Sequence, residues 1–206
     1  MKRHPRKEPV ESNLLKPRFD HFGRLAPFYE RFIPAGVHEE LIALVNMPVG
    51  GILLDAGGGT GRVAQFLCHK AAQVLVADAS IEMLKEARKK LGMHSVCSQA
   101  EATPFKCNFF DRIIMVDALH HVADPVEAAN ELWRILKPAG RIVIEEPDIR
   151  SFGVKLIAIG EKLALMRSHF LSPAQIAELF RAPNARVRVE ASGPTAWVIV
   201  DKESVE

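Results

Sequence analysis

The sequence predicts an α/β fold, a mostly parallel, doubly wound sheet with helices on both faces and a ligand crevice at the carboxyl ends of its strands. Three observations predict it. Short apolar runs alternate with segments of helical periodicity along most of the chain, which is the order of repeated βαβ units. The stretch Gly51 to Arg62, GILLDAGGGTGR, reads as a strand, a tight glycine turn and the start of a helix. Polar residues (Asp55 with the glycines after it, Asp78, Gln99 and Asp117) fall at the ends of successive predicted strands, where sheets of this kind bind ligands.

Length and charge narrow the class further. A chain of 206 residues with 48% hydrophobic content can bury one substantial core, and residues 19–206 read as a single domain. Residues 1–18 carry Lys2, Arg3, Arg6, Lys7, Lys16 and Arg18 against Glu8 and Glu11, and with few apolar residues they read as a flexible basic tail. The whole-chain net charge of +2 makes no case for a nucleic-acid partner. No apolar h-region follows the basic start, and no run reaches the roughly 18 apolar residues of a membrane span, so the chain is read as soluble and cytoplasmic. Three cysteines without C-x-x-C spacing indicate neither a disulfide framework nor a zinc site.

Taken in order, residues 19–47 come first. Phe19, Phe22, Phe28, Tyr29 and Phe32 cluster there in a chain that is only 7% aromatic, and they either cap the core or close over a ligand. Val37 to Met47 reads as a helix, and Pro48, Gly50 and Gly51 turn the chain into the strand Ile52 to Leu54, which Asp55 ends. The glycines that follow supply positive φ and let backbone lie against a bound molecule. The helix Val63 to Lys70 offers its N-terminal N–H groups to a carboxylate or phosphate. The dinucleotide fingerprint G-x-G-x-x-G, counted from Gly57, requires a glycine where Arg62 stands, so it is not met.

A second strand, Gln73 to Ala77, ends at Asp78. The Asp55-to-Asp78 spacing is close to that at which an acidic residue ending the second strand of a βαβ unit reaches ribose hydroxyls. A carboxylate accepts both bonds of a vicinal diol; the competing reading makes Asp78 or Ser80 the N-cap of the helix Ile81 to Leu91. His94 to Gln99 reads as the third strand, with the polar turn AEATPF after it, and Asp111 to Ala118 as a central fourth. Asp124 and Pro125 start a helix as N-cap and N1, with Val126, Leu132, Trp133, Ile135 and Leu136 on its apolar face; Lys137 to Gly140 ends it before the strand Ile142 to Glu145. Residues 151–170 read as an inserted helix, too charged to cross a bilayer, that serves as core or lid or as an apolar acceptor channel or membrane-surface contact. Ser172 and Pro173 start a short helix, and Arg186 to Glu190 and Thr195 to Asp201 close the chain as a pair of strands around Gly193 and Pro194.

Several of these stretches carry a resemblance. Asp55, Gly57, Gly59 and Gly61 form D-x-G-x-G-x-G; LAPFYE matches A-P-x-Y-[DE]; ADASIEML matches D-x-S-x-x-M-L; LHHVADP and LKPAGR match two further motifs. Together, over roughly Phe19 to Glu146, they resemble the class I S-adenosylmethionine-dependent methyltransferases, most of all the ubiquinone and menaquinone biosynthesis type. The turn AEATPF departs from the family's D-A-E-x-L-P-F, with Gln99 in place of Asp and Thr103 in place of Leu. A glutamine carbonyl still accepts a bond from an exocyclic amine, and the Ala100 N–H is independent of side chain.

The resemblance implies a Rossmann-like fold whose last strand runs antiparallel, and S-adenosyl-L-methionine as cofactor. It assigns cofactor binding to Tyr29, Asp55, Ala56, Gly57, Gly59, Gly61, Asp78, Ala79, Met83, Gln99, Ala100, Glu101 and Asp117, with Asp78 at the ribose, Met83 near the nucleoside, and Gln99 and the Ala100 N–H at the adenine. Tyr29 belongs to a lid over the site or to core packing, Met83 to the nucleoside or to ordinary core, and Asp117 to the end of the fourth strand. The reaction implied is SN2 methyl transfer to a small-molecule acceptor, apolar and like a quinone precursor, at carbon or oxygen. Alignment and exclusion of water carry most of such a reaction. Where the acceptor must lose a proton, His120 and His121 stand where a base could act, His121 ahead of His120, and Glu145 and Glu146 at the end of the fifth strand are the next candidates. The N/D-P-P-Y motif and the Pro-Cys dipeptide of nucleic-acid methyltransferases are absent. Two other classes stay open: a silent cofactor-binding protein that works through a partner, and a nicotinamide-dependent oxidoreductase.

Overall fold

The computed structural model describes residues 38–148 and 170–204. The basic tail, Tyr29 with its aromatic neighbours, and nearly all of the inserted helix expected over 151–170 lie outside the described residues. Within them the chain runs α1 (His38–Val45), β1 (Val49–Ala56), α2 (Arg62–Leu67), β2 (Ala71–Asp78), α3 (Ile81–Ala87), β3 (His94–Cys97), β4 (Phe110–Val116), a 3-10 turn (Leu119–His121), α4 (Pro125–Ile135), β5 (Leu136–Pro147), α5 (Pro173–Glu178), β6 (Ala185–Ser192) and β7 (Thr195–Lys202).

The strands form one seven-stranded sheet in the order β3-β2-β1-β4-β5-β7-β6. β1 to β5 pair in parallel, whereas β7 enters antiparallel between β5 and β6. The direction of winding reverses between β1 and β4, which opens a crevice at their carboxyl ends.

Alternation along the central strands explains the two cores. Leu54, Ile113, Ile142 and Ile144 point to one face, where Ala129, Leu132 and Ile135 of α4 and Ile176 of α5 cover them. Leu53, Ile114 and Val143 point to the other, against α1, α2 and α3 through Leu41, Val45, Val63, Leu67 and Leu84. A strand covered on both sides must be apolar along its covered length, and the runs ILL in β1 and IIMV in β4 are so for that reason. Each fully buried Leu or Ile contributes about 1.5–3 kcal/mol. Arg112 Nε and Arg141 Nη1 donate to the carbonyls of Val45 and Leu44, bonds that tie down the C-terminal end of α1.

Several boundaries differ from expectation: β1 already starts at Val49, so Gly50 and Gly51 belong to the strand, α3 ends at Ala87 rather than Leu91, and β3 ends at Cys97 rather than Gln99. Lys137 to Gly140 does not form a turn that precedes the fifth strand; these residues belong to it, and β5 starts at Leu136. Leu136 is extended (ψ 132) and pairs with Phe110, while the N–H groups of Asn108 and Phe109 bond the carbonyls of Arg134 and Ile135. The approach to β4 thus takes up the last carbonyls of α4. A shift of register then occurs between Phe110 and Arg112, opposite the positive φ of Ala139.

Candidate active site

The centre of the site is the turn after β1. Gly57, Gly59 and Gly61 have φ of 71, 54 and 71°, the left-handed region that side chains disfavour. Gly57 also has no space for a side chain, since a Cβ there would lie 2.6 Å from that of Ala118. Its N–H donates to the carbonyl of Ala77 at 2.7 Å, anchoring the turn to the end of β2, which Ala56 adjoins in register.

Asp78 holds the same turn from the next strand. Its Oδ2 accepts the N–H of Gly59 at 2.9 Å and its Oδ1 the N–H of Ser80 at 2.7 Å. The N-cap of α3 is Ser80, whose Oγ accepts from the Met83 N–H, so the capping role falls on Ser80 and not on Asp78. Met83 is buried, and its sulfur lies 3.9 Å from where a Cβ on Gly59 would stand, which makes it a backing for the turn; Ala79 is exposed beside it.

After β3, Gln99 and Ala102 form an isolated bridge around Ala100 and Glu101, with Gln99 exposed. Glu101 turns its carboxylate to the Ala123 and Asp124 N–H groups, at 2.9 and 3.3 Å. It thereby ties this turn to the start of α4. Thr103 is bound in parallel by Glu131 of α4, through its N–H and its hydroxyl at 2.9 and 2.5 Å.

The acidic groups at the strand ends divide between the two faces of the sheet. Asp55 is buried beneath the glycine turn, with Gly58 above it, and its Oδ2 has no hydrogen-bond partner. Burial pushes its pKa up to about 7; the Ala64 N–H and the Arg62 charge act against that rise and the Asp78 charge adds to it. Glu145, buried at the end of β5, is likewise raised to about 7 by burial, against a bond from Trp197 Nε1 at 2.7 Å. Asp117, with φ 50°, donates its N–H to the Glu145 carbonyl and adds to the rise electrostatically.

His121 stands half-buried in the 3-10 turn, where burial and then His120 lower its pKa to about 3. It is therefore neutral at physiological pH and a weak proton acceptor. The residue whose connections sequence reasoning missed is Glu146. Its Oε1 accepts the Ala118 and Leu119 N–H groups at 3.1 and 2.7 Å, and its Oε2 lies 2.5 Å from His120 Nδ1. Arg62, whose charge reaches both Asp55 and Glu145, was singled out only as the glycine that is missing. The alternation of a strand was the available signal for Glu146, because adjacent Glu145 and Glu146 must face opposite ways.

The arrangement fits the expected cofactor: a glycine cradle lies beside the carboxylate of Asp78, and the buried Oδ2 of Asp55 lacks a donor. Among the described residues no group of His, Cys, Asp and Glu could hold a metal ion, and no helix is long and apolar enough to cross a membrane.

Sheet order, glycine turn and the acid at the end of β2 together define the class I S-adenosylmethionine-dependent methyltransferases, whose cofactor is S-adenosyl-L-methionine. Residues 54–144 match the family model for the methyltransferase domain. It is 37% identical over 125 residues to the ubiquinone/menaquinone biosynthesis C-methyltransferase of Pseudoalteromonas translucida, covering 54% of this chain and 50% of that one. The corresponding enzyme of Serratia proteamaculans is 36% identical over 107 residues, 47% of this chain and 43% of its own. The chain thus spans about half the length of the curated relatives it matches. Among solved structures, an S-adenosylmethionine-dependent methyltransferase of Thermotoga maritima, described as a possible histamine N-methyltransferase, superposes with a TM-score of 0.74 at 25% identity, over 88% of this chain and 98% of that one. A methyltransferase of Haloferax volcanii, solved with the activator Trm112, gives a TM-score of 0.75 over 90% and 99% of the two chains; at 18% identity the likeness is one of fold.

Proposed function

We propose that the protein transfers the methyl group of S-adenosyl-L-methionine to a small-molecule acceptor, a quinone-precursor-like phenol or quinol methylated at carbon or oxygen. The observation that carries the reading is the joint hold on the glycine turn. Gly57 is anchored to β2 and packed on Ala118, and Gly59 is bound by Asp78 at 2.9 Å, so the cradle and the ribose-binding acid form one rigid unit. The acceptor class rests on the names of the quinone-pathway relatives.

When bound, the cofactor supplies an electrophilic methyl group on a sulfonium. The residues of the chain do the rest. Gly57, Gly59 and Gly61 let the backbone approach, Asp78 takes the ribose hydroxyls, and Asp55 offers its unpartnered oxygen to the ammonium end. The Gln99 carbonyl and the Ala100 N–H meet the adenine edge, with Glu101 holding their turn in place. Tyr29 and residues 151–170 are assigned to the acceptor side.

Calorimetric titration with S-adenosylhomocysteine, S-adenosylmethionine and NADH tests the cofactor, with Asp78→Ala as control and its fold checked by circular dichroism. Micromolar binding of the first two, lost in the variant, is the expected result. Transfer of labelled methyl to reduced 1,4-naphthoquinone, simple phenols and thiols then tests the acceptor. Binding without transfer to any of them would leave a silent cofactor-binding protein, and NADH binding instead would point to an oxidoreductase.

A further inference from the structure

The carboxylate of Glu146 joins three parts of the site. One oxygen takes two consecutive backbone N–H groups, those of Ala118 and Leu119, and so fixes the path of the chain as it leaves β4. The other meets Nδ1 of His120, both side chains being about 6% exposed. Ala118 is the residue against which Gly57 packs, so the same carboxylate sets the wall of the cofactor turn. On its far side the His120 ring stacks on Phe170, centroids 4.6 Å apart and planes 12° from parallel.

A buried acid and imidazole are held at a desolvation cost that an apolar pair would not incur, and they persist where geometry or proton transfer requires them. The bond itself dictates the form of the ring. A carboxylate facing Nδ1 takes the proton there as a donor, which puts the lone pair of the neutral imidazole on Nε2. This is the relation of an orienting carboxylate to a histidine base.

We propose that Glu146 is a positioning residue of the transfer step that acts through His120, holding that ring in its Nδ1–H form so that Nε2 of His120, rather than His121, receives the proton of the acceptor. The inference rests on the methyltransferase reading above. The acceptor's O–H bond breaks, with its proton going to Nε2 and its electron pair to the acceptor. That pair makes the bond to the methyl carbon, and the pair of the broken C–S bond stays on sulfur. The imidazolium, with Glu146 as counter-charge, then returns its proton to water.

Two readouts test it, one of them independent of turnover. Long-range proton–nitrogen spectra of the nitrogen-15-labelled full chain with S-adenosylhomocysteine should show His120 protonated on Nδ1, and that pattern should be lost in Glu146→Gln; a wild-type ring protonated on Nε2 overturns the proposal. With reduced 1,4-naphthoquinone as the probe, Glu146→Gln and His120→Asn should each lower kcat by roughly a hundredfold while KM and S-adenosylhomocysteine affinity stay within about threefold. His120→Asn is the decisive variant, because its amide still donates to Glu146 from the Nδ1 position while Nε2 is gone. The double variant should be no worse than the poorer single, as for groups that act as a unit. Turnover by His120→Asn within about threefold of wild type also overturns it. Failure to bind S-adenosylhomocysteine would sink the cofactor reading instead, and the two failures are told apart by the spectrum of the ring.

Discussion

Trp197 and Glu145 are register partners across the antiparallel pair β5 and β7, and the indole Nε1 of the first donates to Oε2 of the second at 2.7 Å. Glu145 is thereby held on the face of the sheet opposite Glu146, under α1 and α2. Its carboxyl is raised to about 7 by burial, with the indole bond pulling the other way. In a Trp133→Phe background, the fluorescence of Trp197 should titrate with a midpoint near pH 7, and Glu145→Gln should remove the titration. A flat signal in the Trp133→Phe protein between pH 5 and 9 would contradict the pairing.

Asp55 makes stability and cofactor binding depend on pH in a definite direction. Its carboxyl is 3.8 in an ordinary setting and about 7 in the fold. Between those values the folded protein keeps a proton that the unfolded chain has lost. The stability it contributes is therefore full below about pH 4 and declines as pH rises to about 7, by a few kcal/mol. Asp55→Asn should flatten the denaturant midpoint over that range and gain most over wild type at pH 8. A cationic ligand seated above Asp55 favours its ionised form. Titration of S-adenosylmethionine near pH 7 in buffers of different ionisation enthalpy should accordingly show proton release, and Asp55→Asn should abolish it.

The contact between Gly57 and Ala118 predicts a suppressor. Gly57→Ala places a methyl 2.6 Å from the Ala118 Cβ at a φ of 71° and should cost about 1–3 kcal/mol, with S-adenosylhomocysteine affinity down by tenfold or more. Ala118→Gly in the same chain relieves the clash but not the φ, so it should restore part of both losses. Equal affinity in the single and double variants would mean that the turn does not bear on Ala118.

Glu131 links the turn after β3 to α4. A bond from Arg134, then those from Thr103, hold its carboxyl down at about 2 despite partial burial. Such a lowered group contributes stability above pH 4.5, its ordinary value, and loses it as pH falls through about 2. Glu131→Ala should destabilise by about 1–2 kcal/mol at pH 7. The gap to wild type should close at pH 2, as thermal melts at the two pH values would record.

The sheet was legible in the sequence because strands buried on both faces leave an unmistakable mark. ILLD, VLVAD and IIMVD are continuous apolar runs that stop at an acid, and each ends at the crevice. The helix starts were legible for a similar reason, since Ser80, Asp124 and Ser172 are N-caps whose side chains bond backbone within three residues. What could not be read was the end of α4. Whether Lys137 to Gly140 turns freely or pairs depends on carbonyls captured by Asn108 and Phe109, far away in sequence.

The same division holds in the candidate site. The sequence by itself determined the glycine turn, the place of Asp78 at the end of the second strand and the succession of strands along the chain, because positive φ, helix starts and apolar runs are properties of neighbouring residues. Only the tertiary structure decided that Glu101 faces α4, that Glu145 bonds Trp197 and that Glu146 grips His120. Those partners stand 22 to 52 residues apart, and such contacts are set by sheet register and by which face of a strand meets which helix. Two glutamates adjacent in sequence have opposite surroundings because a strand turns successive side chains to opposite sides.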